Sequence, residues 1–227
     1  MRYFIAGGGC YGSYYVRQLD RARAVKKLDV SEIVVVDKDP LCAVSKNLSQ
    51  VTGARLEVGD WLDFGKTLWE NRETYRNDMW VPTPLGPHII LHWIKRRWEE
   101  ETGHRLKTVA YSGAMPHLPY AQTLTSGSLV LSHAPGICPV NCVEPKICPL
   151  TKDDRDWEMK DTVQNLLGDA GVFVCQHHAH GVGTIPLSLI YDEWEKVHQT
   201  LKKGQTRAAV ATVSSCHGIV DLLEKIG

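Results

Sequence analysis

Three cysteines, Cys138, Cys142 and Cys148, fall within eleven residues of the segment Cys138-Pro139-Val140-Asn141-Cys142-Val143-Glu144-Pro145-Lys146-Ile147-Cys148-Pro149. The spacing is C-x3-C-x5-C on a proline-stiffened loop, so the thiols can converge on a metal at small entropic cost. Cys-Pro occurs twice, as it does at the end of bacterial ferredoxin motifs, although those use shorter spacings. Zinc sites combine a C-x2-4-C pair with a second pair or with histidines, and Cys138 with Cys142 meets the first half of that pattern. The segment therefore points to a metal site, an iron–sulfur cluster ahead of zinc. The alternative is three unrelated buried thiols. Cys175, at the end of a predicted strand, is the expected fourth ligand, with Cys10 and Cys216 as competitors. A three-cysteine cluster with one open iron would suit Lewis-acid chemistry.

A second constellation is Gly7-x-Gly9-x-x-Gly12, directly after the apolar run Phe4-Ile5-Ala6 and at the start of a helix-like stretch. In a dinucleotide fingerprint the first glycine makes the tight turn. The second lets the pyrophosphate approach the backbone, and the third packs helix on strand. The helix start, with Cys10 and Tyr11, offers free amides and a positive dipole end to phosphate. Asp37 closes the next predicted strand, where a carboxylate accepts ribose hydroxyls and repels a 2′-phosphate, which favours NAD(H) over NADP(H).

Cys175-Gln176-His177-His178-Ala179-His180-Gly181 places three of the ten histidines in four residues beyond a predicted strand end. Ligands bind at that edge in open α/β sheets. His177 and His178 are thus candidates for proton relay to a small-molecule substrate, and a polar surface loop is the plainer reading. His88 and His92, at i and i+4, suit a metal pair but more often form a polar helix face. In Ser214-Ser215-Cys216-His217 the thiol and imidazole are adjacent, and adjacent side chains generally point apart, so a nucleophilic Cys216 is disfavoured.

These residues need a scaffold, and the chain supplies 227 residues, 43% hydrophobic and 23% charged, enough for one domain with its own core. Lys plus Arg and Asp plus Glu are both 26, which leaves no basic footprint for nucleic acid. No apolar run approaches the ~18 residues of a membrane helix. Met1–Ala6 passes straight into the glycine loop, so no signal peptide is expected and the expected location is cytoplasmic. Thiols stay reduced there, and seven cysteines cannot all pair.

The pattern reads as strand Phe4–Ala6, a helix through Ala22, strand Ser31–Asp37, a helix over 40–49 and strand Ala54–Val58. Such a βαβαβ order implies a parallel sheet. Further strands are expected at Asp78–Val81, stopped by Pro82 and Pro84, and at Leu106–Tyr111, Gly171–Cys175 and Arg207–Val213. Helices are expected over Pro87–Trp98, 153–167, Leu187–Leu201 and His217–Ile226. Residues 112–150 read as an irregular inserted cofactor loop. The fold expected for residues 1–227 is a single α/β, Rossmann-like domain, with a mostly parallel sheet and helices on both faces.

Residues 1 to about 60 resemble the NAD-binding Rossmann family, and most closely its potassium-transport regulatory (TrkA-N type) domains. The resemblance is carried by Phe4-Ile5-Ala6-Gly7-Gly8-Gly9, Val36-Asp37-Lys38-Asp39-Pro40 and Val58-Gly59-Asp60. It implies ribose binding by Asp37 and a place near adenine for Asp60. The combined expectation is an oxidoreductase coupling NAD(H) to an iron–sulfur cluster, acting on a small substrate or an electron-transfer partner and forming a homodimer. A non-catalytic NAD/redox sensor and a dehydrogenase with a structural zinc are the alternatives.

Overall fold

The computed structural model describes residues 1–83 and 88–226; Pro84 and Pro87, read above as a strand stop and a helix start, lie outside them. Two six-stranded mixed sheets enclose a shared layer of helices. The first contains β1 (Arg2–Ala6), β2 (Glu32–Asp37), β3 (Ala54–Val58), β4 (Met79–Val81), β9 (Gln176–Ala179) and β10 (Val182–Pro186), in the order β3-β2-β1-β4-β10-β9. Its first four strands are parallel, whereas β10 joins β4 antiparallel and β9 closes a hairpin onto β10.

The second sheet runs β6 (Tyr120–Thr123), β7 (Leu129–Ser132), β12 (His217–Ile226), β11 (Arg207–Val213) and β8 (Gly171–Val174), with β5 (Arg105–Val109) paired to the far half of β12. Only β8 and β11 are parallel there. The mostly parallel sheet expected from the sequence is thus corrected. Parallel pairing is confined to the βαβ connections at the N-terminus and to β8–β11, and hairpins build the rest.

Alternation along the strands divides the core into three layers. Phe4 and Val34 face α2 (Trp61–Glu70), α4 (Ile89–Thr102) and α6 (Leu187–Lys202), and from the other side Phe173, Val210 and Leu223 pack onto the same helices. Tyr3, Ile5, Ile33 and Val35 face α1 (Cys10–Ala24). Val172, Ala209 and Ala211 face α5 (Met159–Leu167). The β-branched run Ile33–Val36 is fully buried because both of its faces are covered. The seven buried residues of α6, from Leu187 to Leu201, form a stripe wide enough to meet both sheets.

Four expected elements differ. Residues 112–150, expected to be an irregular loop, contain the β6–β7 hairpin. Residues 40–49 form two short 3₁₀ turns, Ala43–Lys46 and Leu48–Gln50. The helix expected from residue 153 begins at Met159, after a loop that holds the cysteines. His217–Ile226 is a strand: Ile219, Leu222 and Leu223 have helical spacing only because β12 is covered on both faces. One turn at Arg72–Tyr75 (α3) leads into β4. No helix among the described residues is long and apolar enough to cross a membrane.

Candidate functional site

The glycine loop is shaped by three contacts. Gly7 takes φ +86°, and its N–H donates to Val36 O at 2.8 Å. Gly8 N–H donates to Asp37 Oδ2 at 2.6 Å, while Asp37 Oδ1 accepts from Asp39 N–H at 2.9 Å. A Cβ at Gly12 would run into the carbonyl oxygen of Gly7, whereas one at Gly9 would meet nothing within 4 Å. The first glycine therefore serves the turn, the third the helix–strand approach, and Gly9 leaves the space in front of α1 open. Cys10 is exposed and Tyr11 half-buried beside that space.

A cleft of about 780 Å³ lies between the two sheets, and Asp37, Lys38, Gly59, Asp60 and Trp61 line part of it. Asp60 is exposed and caps α2, its Oδ1 accepting from Leu62 N–H at 2.8 Å. The indole of Trp61 donates to Val36 O at 2.8 Å, and its ring lies against Gly7.

The cysteine loop closes over the carboxyl ends of β8 and β11. It is pinned by Glu144 Oε2, which accepts from Ser215 N–H at 3.2 Å, and by the carbonyl of Cys142, which accepts from His177 Nδ1 at 3.1 Å. That bond fixes the proton of His177 on Nδ1 and leaves Nε2 free. Cys138 Sγ lies 3.4 Å from His217 Nε2, and His217 Nδ1 lies 3.0 Å from Ser132 Oγ. Burial, then the neighbouring Cys142, Cys148 and Glu144, pushes the Cys138 thiol up, and burial pushes His217 down. Both shifts favour a neutral thiol–imidazole pair. Cys216 Sγ accepts instead from the Trp157 indole at 3.4 Å, so Cys216 and His217 do point apart.

Cys148 behaves oppositely. Backbone amides of Thr151 and Leu150 hold its thiol below the ordinary value. Cys142 Sγ accepts from Glu144 N–H at 3.3 Å. Cys175 is buried, and burial followed by Glu144 pushes it up to about 12. His178 is exposed on β9. Among the described residues no three His, Cys, Asp or Glu side chains form a metal-binding group, so Cys138, Cys142, Cys148 and Cys175 share a neighbourhood without forming a coordination shell.

Glu144 was not singled out by the sequence, although it raises the thiols of Cys138, Cys175 and Cys216 alike. Its left-handed backbone (φ +50°) turns it inward. A lone glutamate between cysteines carries no sequence signal for this. α1 meets the β9–β10 turn, where Tyr14 donates to His180 O at 3.0 Å, and that turn abuts the cysteine loop, Gly181 lying against Val140 and Asn141. The Tyr15 phenol is pushed up by burial and by Cys175.

A family model described as "Uncharacterized protein, C-terminal domain" (AF_1314_C) matches residues 90–226. An uncharacterized protein of Archaeoglobus fulgidus is 24% identical over 231 residues, covering 97% of this chain and 98% of its own. These findings correct the resemblance to the NAD-binding Rossmann family and its TrkA-N type domains. The family matched covers the part carrying the cysteine loop, and the relative matched over the full length is described only as an uncharacterized protein. The role near adenine that Asp60 took from that resemblance falls with it, and helix capping is what its contacts show.

Proposed function

The chain belongs to the AF_1314_C family of uncharacterized proteins, and on the geometry of its own site we propose that it is an NAD(H)-binding redox protein of oxidoreductase type. One observation carries the reading. A glycine loop left open at Gly9 leads into α1, whose Tyr14 and Tyr15 reach His180 and Cys175, and the turn at His180 and Gly181 abuts the loop of three cysteines at Val140 and Asn141. The order β3-β2-β1-β4 supports the finer, Rossmann-like description of this half of the molecule.

The residues fit a dinucleotide. Gly9 leaves room for the pyrophosphate, and the first amides of α1 face it. Asp37 lines the cleft and keeps lone pairs for a ribose hydroxyl beyond the two amides it already accepts. Bound there, the nicotinamide supplies a two-electron donor or acceptor. His177, whose Nδ1 donates to Cys142 O, and exposed His178 are the groups proposed to hand over a proton.

A metal on the cysteine loop rests on donor chemistry alone. Cys142 accepts an amide hydrogen bond from Glu144, and backbone amides lower Cys148, but the side chains as placed do not meet around one point. No step is therefore derived through iron or zinc. A cytoplasmic location belongs to the same reading, supported by seven free thiols.

The test has two arms. NADH fluorescence should show saturable binding that Gly9→Val removes while the circular dichroism spectrum stays native, because a Cβ there meets nothing within 4 Å. Wild type that binds no NADH would overturn the nucleotide reading. Anaerobically purified protein should contain iron and sulfide that are lost when Cys138, Cys142 and Cys148 are replaced by serine. One zinc would instead indicate a structural clip, and metal-free protein would sink the metal centre.

A further inference from the structure

The end of the cleft formed by α4 and the second sheet is built from residues with no place in the function proposed above. His88, His92 and Lys95 form one face of α4 at i, i+4 and i+7, and they meet Thr108, Ser126, Ser128 and Asp221 from the second sheet. Asp221 is 1% exposed, in the middle of β12. Its Oδ1 accepts from Ser128 Oγ at 3.0 Å. Its Oδ2 is buried and lies 3.0 Å from His88 Nε2, in ion-pair range but without hydrogen-bond alignment. His88 Nδ1 is also buried without a partner among the described residues. Lys95 Nζ donates to Thr108 Oγ1 at 2.6 Å. The cleft also has apolar walls: Leu62, Ile89, Leu91, Leu124 and Ile219.

A buried carboxylate held with one oxygen unsatisfied is costly unless something completes it. Beside it stand one ammonium, two imidazoles and an apolar wall. We propose that this end of the cleft is a binding site for a small organic carboxylate with an apolar body. Lys95 pairs with the anion, and His88, oriented by Asp221, takes up a proton from solvent as the anion enters.

The charges agree with that proton balance. Burial pushes His88 below the usual imidazole range, with Asp221 opposing the shift and His92 and Lys95 adding to it. Asp37, Lys38 and Asp60 are the other charged groups on the cleft. With its affinity for a proton lowered by burial, His88 is neutral near pH 7 in the empty site. An added anion makes the protonated form favourable, and the proton is drawn from the buffer. Lys95 is lowered by burial and raised by Asp221.

The experiment is calorimetric titration of the full chain at pH 7 with benzoate and hexanoate, using benzyl alcohol and hexanol as uncharged controls. Each titration is run in two buffers of different ionisation enthalpy. Both acids should bind at least tenfold more tightly than the alcohols, with net proton uptake. Lys95→Met should weaken the acids about tenfold and leave the alcohols unchanged. His88→Gln should keep binding and lose the uptake. Asp221→Asn, which keeps an acceptor for Ser128, should reduce the uptake without weakening the anion, as expected of a positioning residue. Gly9→Val should change none of this, so failure of the nucleotide reading is separable. Acids that bind no better than alcohols, or bind without proton uptake in wild type, would overturn the proposal, and both readouts need no variant to fold.

Discussion

Glu144 shows how one residue can set the chemistry of several. Its Oε1 is buried without a partner among the described residues, and its charge adds to burial, the larger cause, in disfavouring ionisation of Cys138, Cys175 and Cys216. Replacing it by glutamine removes that charge while leaving an acceptor for Ser215 N–H. Glu144→Gln should accelerate alkylation of half-buried Cys138 by iodoacetamide at pH 8 several-fold, as read by mass-spectrometric mapping. An unchanged rate would mean that burial alone raises Cys138. The glycines were legible from sequence at this scale because their roles are steric and local. Asp221 and His88 were not. They are 133 positions apart in the chain, and nothing local in a strand marks an aspartate that will face a helix across a cleft.

At the scale of elements, the N-terminal βαβ order was legible because β-branched runs and glycine breaks alternate cleanly through residue 58. β12 was misread for a physical reason. A strand covered on both faces loses its period-two signal, and what remains can match a helix. The hairpin β9–β10 was hidden by its three histidines, which read as loop. Asp60 belongs at this scale too, since its contact is the cap of α2. Asp60→Ala should cost about 1 kcal/mol in urea unfolding and leave NADH affinity within twofold, whereas Asp37→Ala should lose most of that affinity. Equal losses of affinity from both variants would restore a nucleotide role to Asp60.

Across the whole molecule, His88, His133, His198 and His217 all lie below their ordinary value of 6.5, and in each case burial is the largest cause. The unfolded chain then binds more protons than the folded one as the pH drops below 6.5, so folding stability must fall in that window. The urea midpoint should be flat from pH 8 to 7 and decline from 6.5 to 5 with an unchanged m-value. A midpoint that rose on acidification would contradict the burial of these imidazoles. The pairing of β10 with β4 has a consequence for the order in which the molecule can be made. The first sheet begins with residue 2, yet the strand that covers the edge of β4 ends at residue 186. During synthesis β1 to β4 must wait, with that edge open, while the entire cysteine loop emerges. Until then the nascent chain presents an unpaired edge that chaperones or a neighbouring chain can occupy.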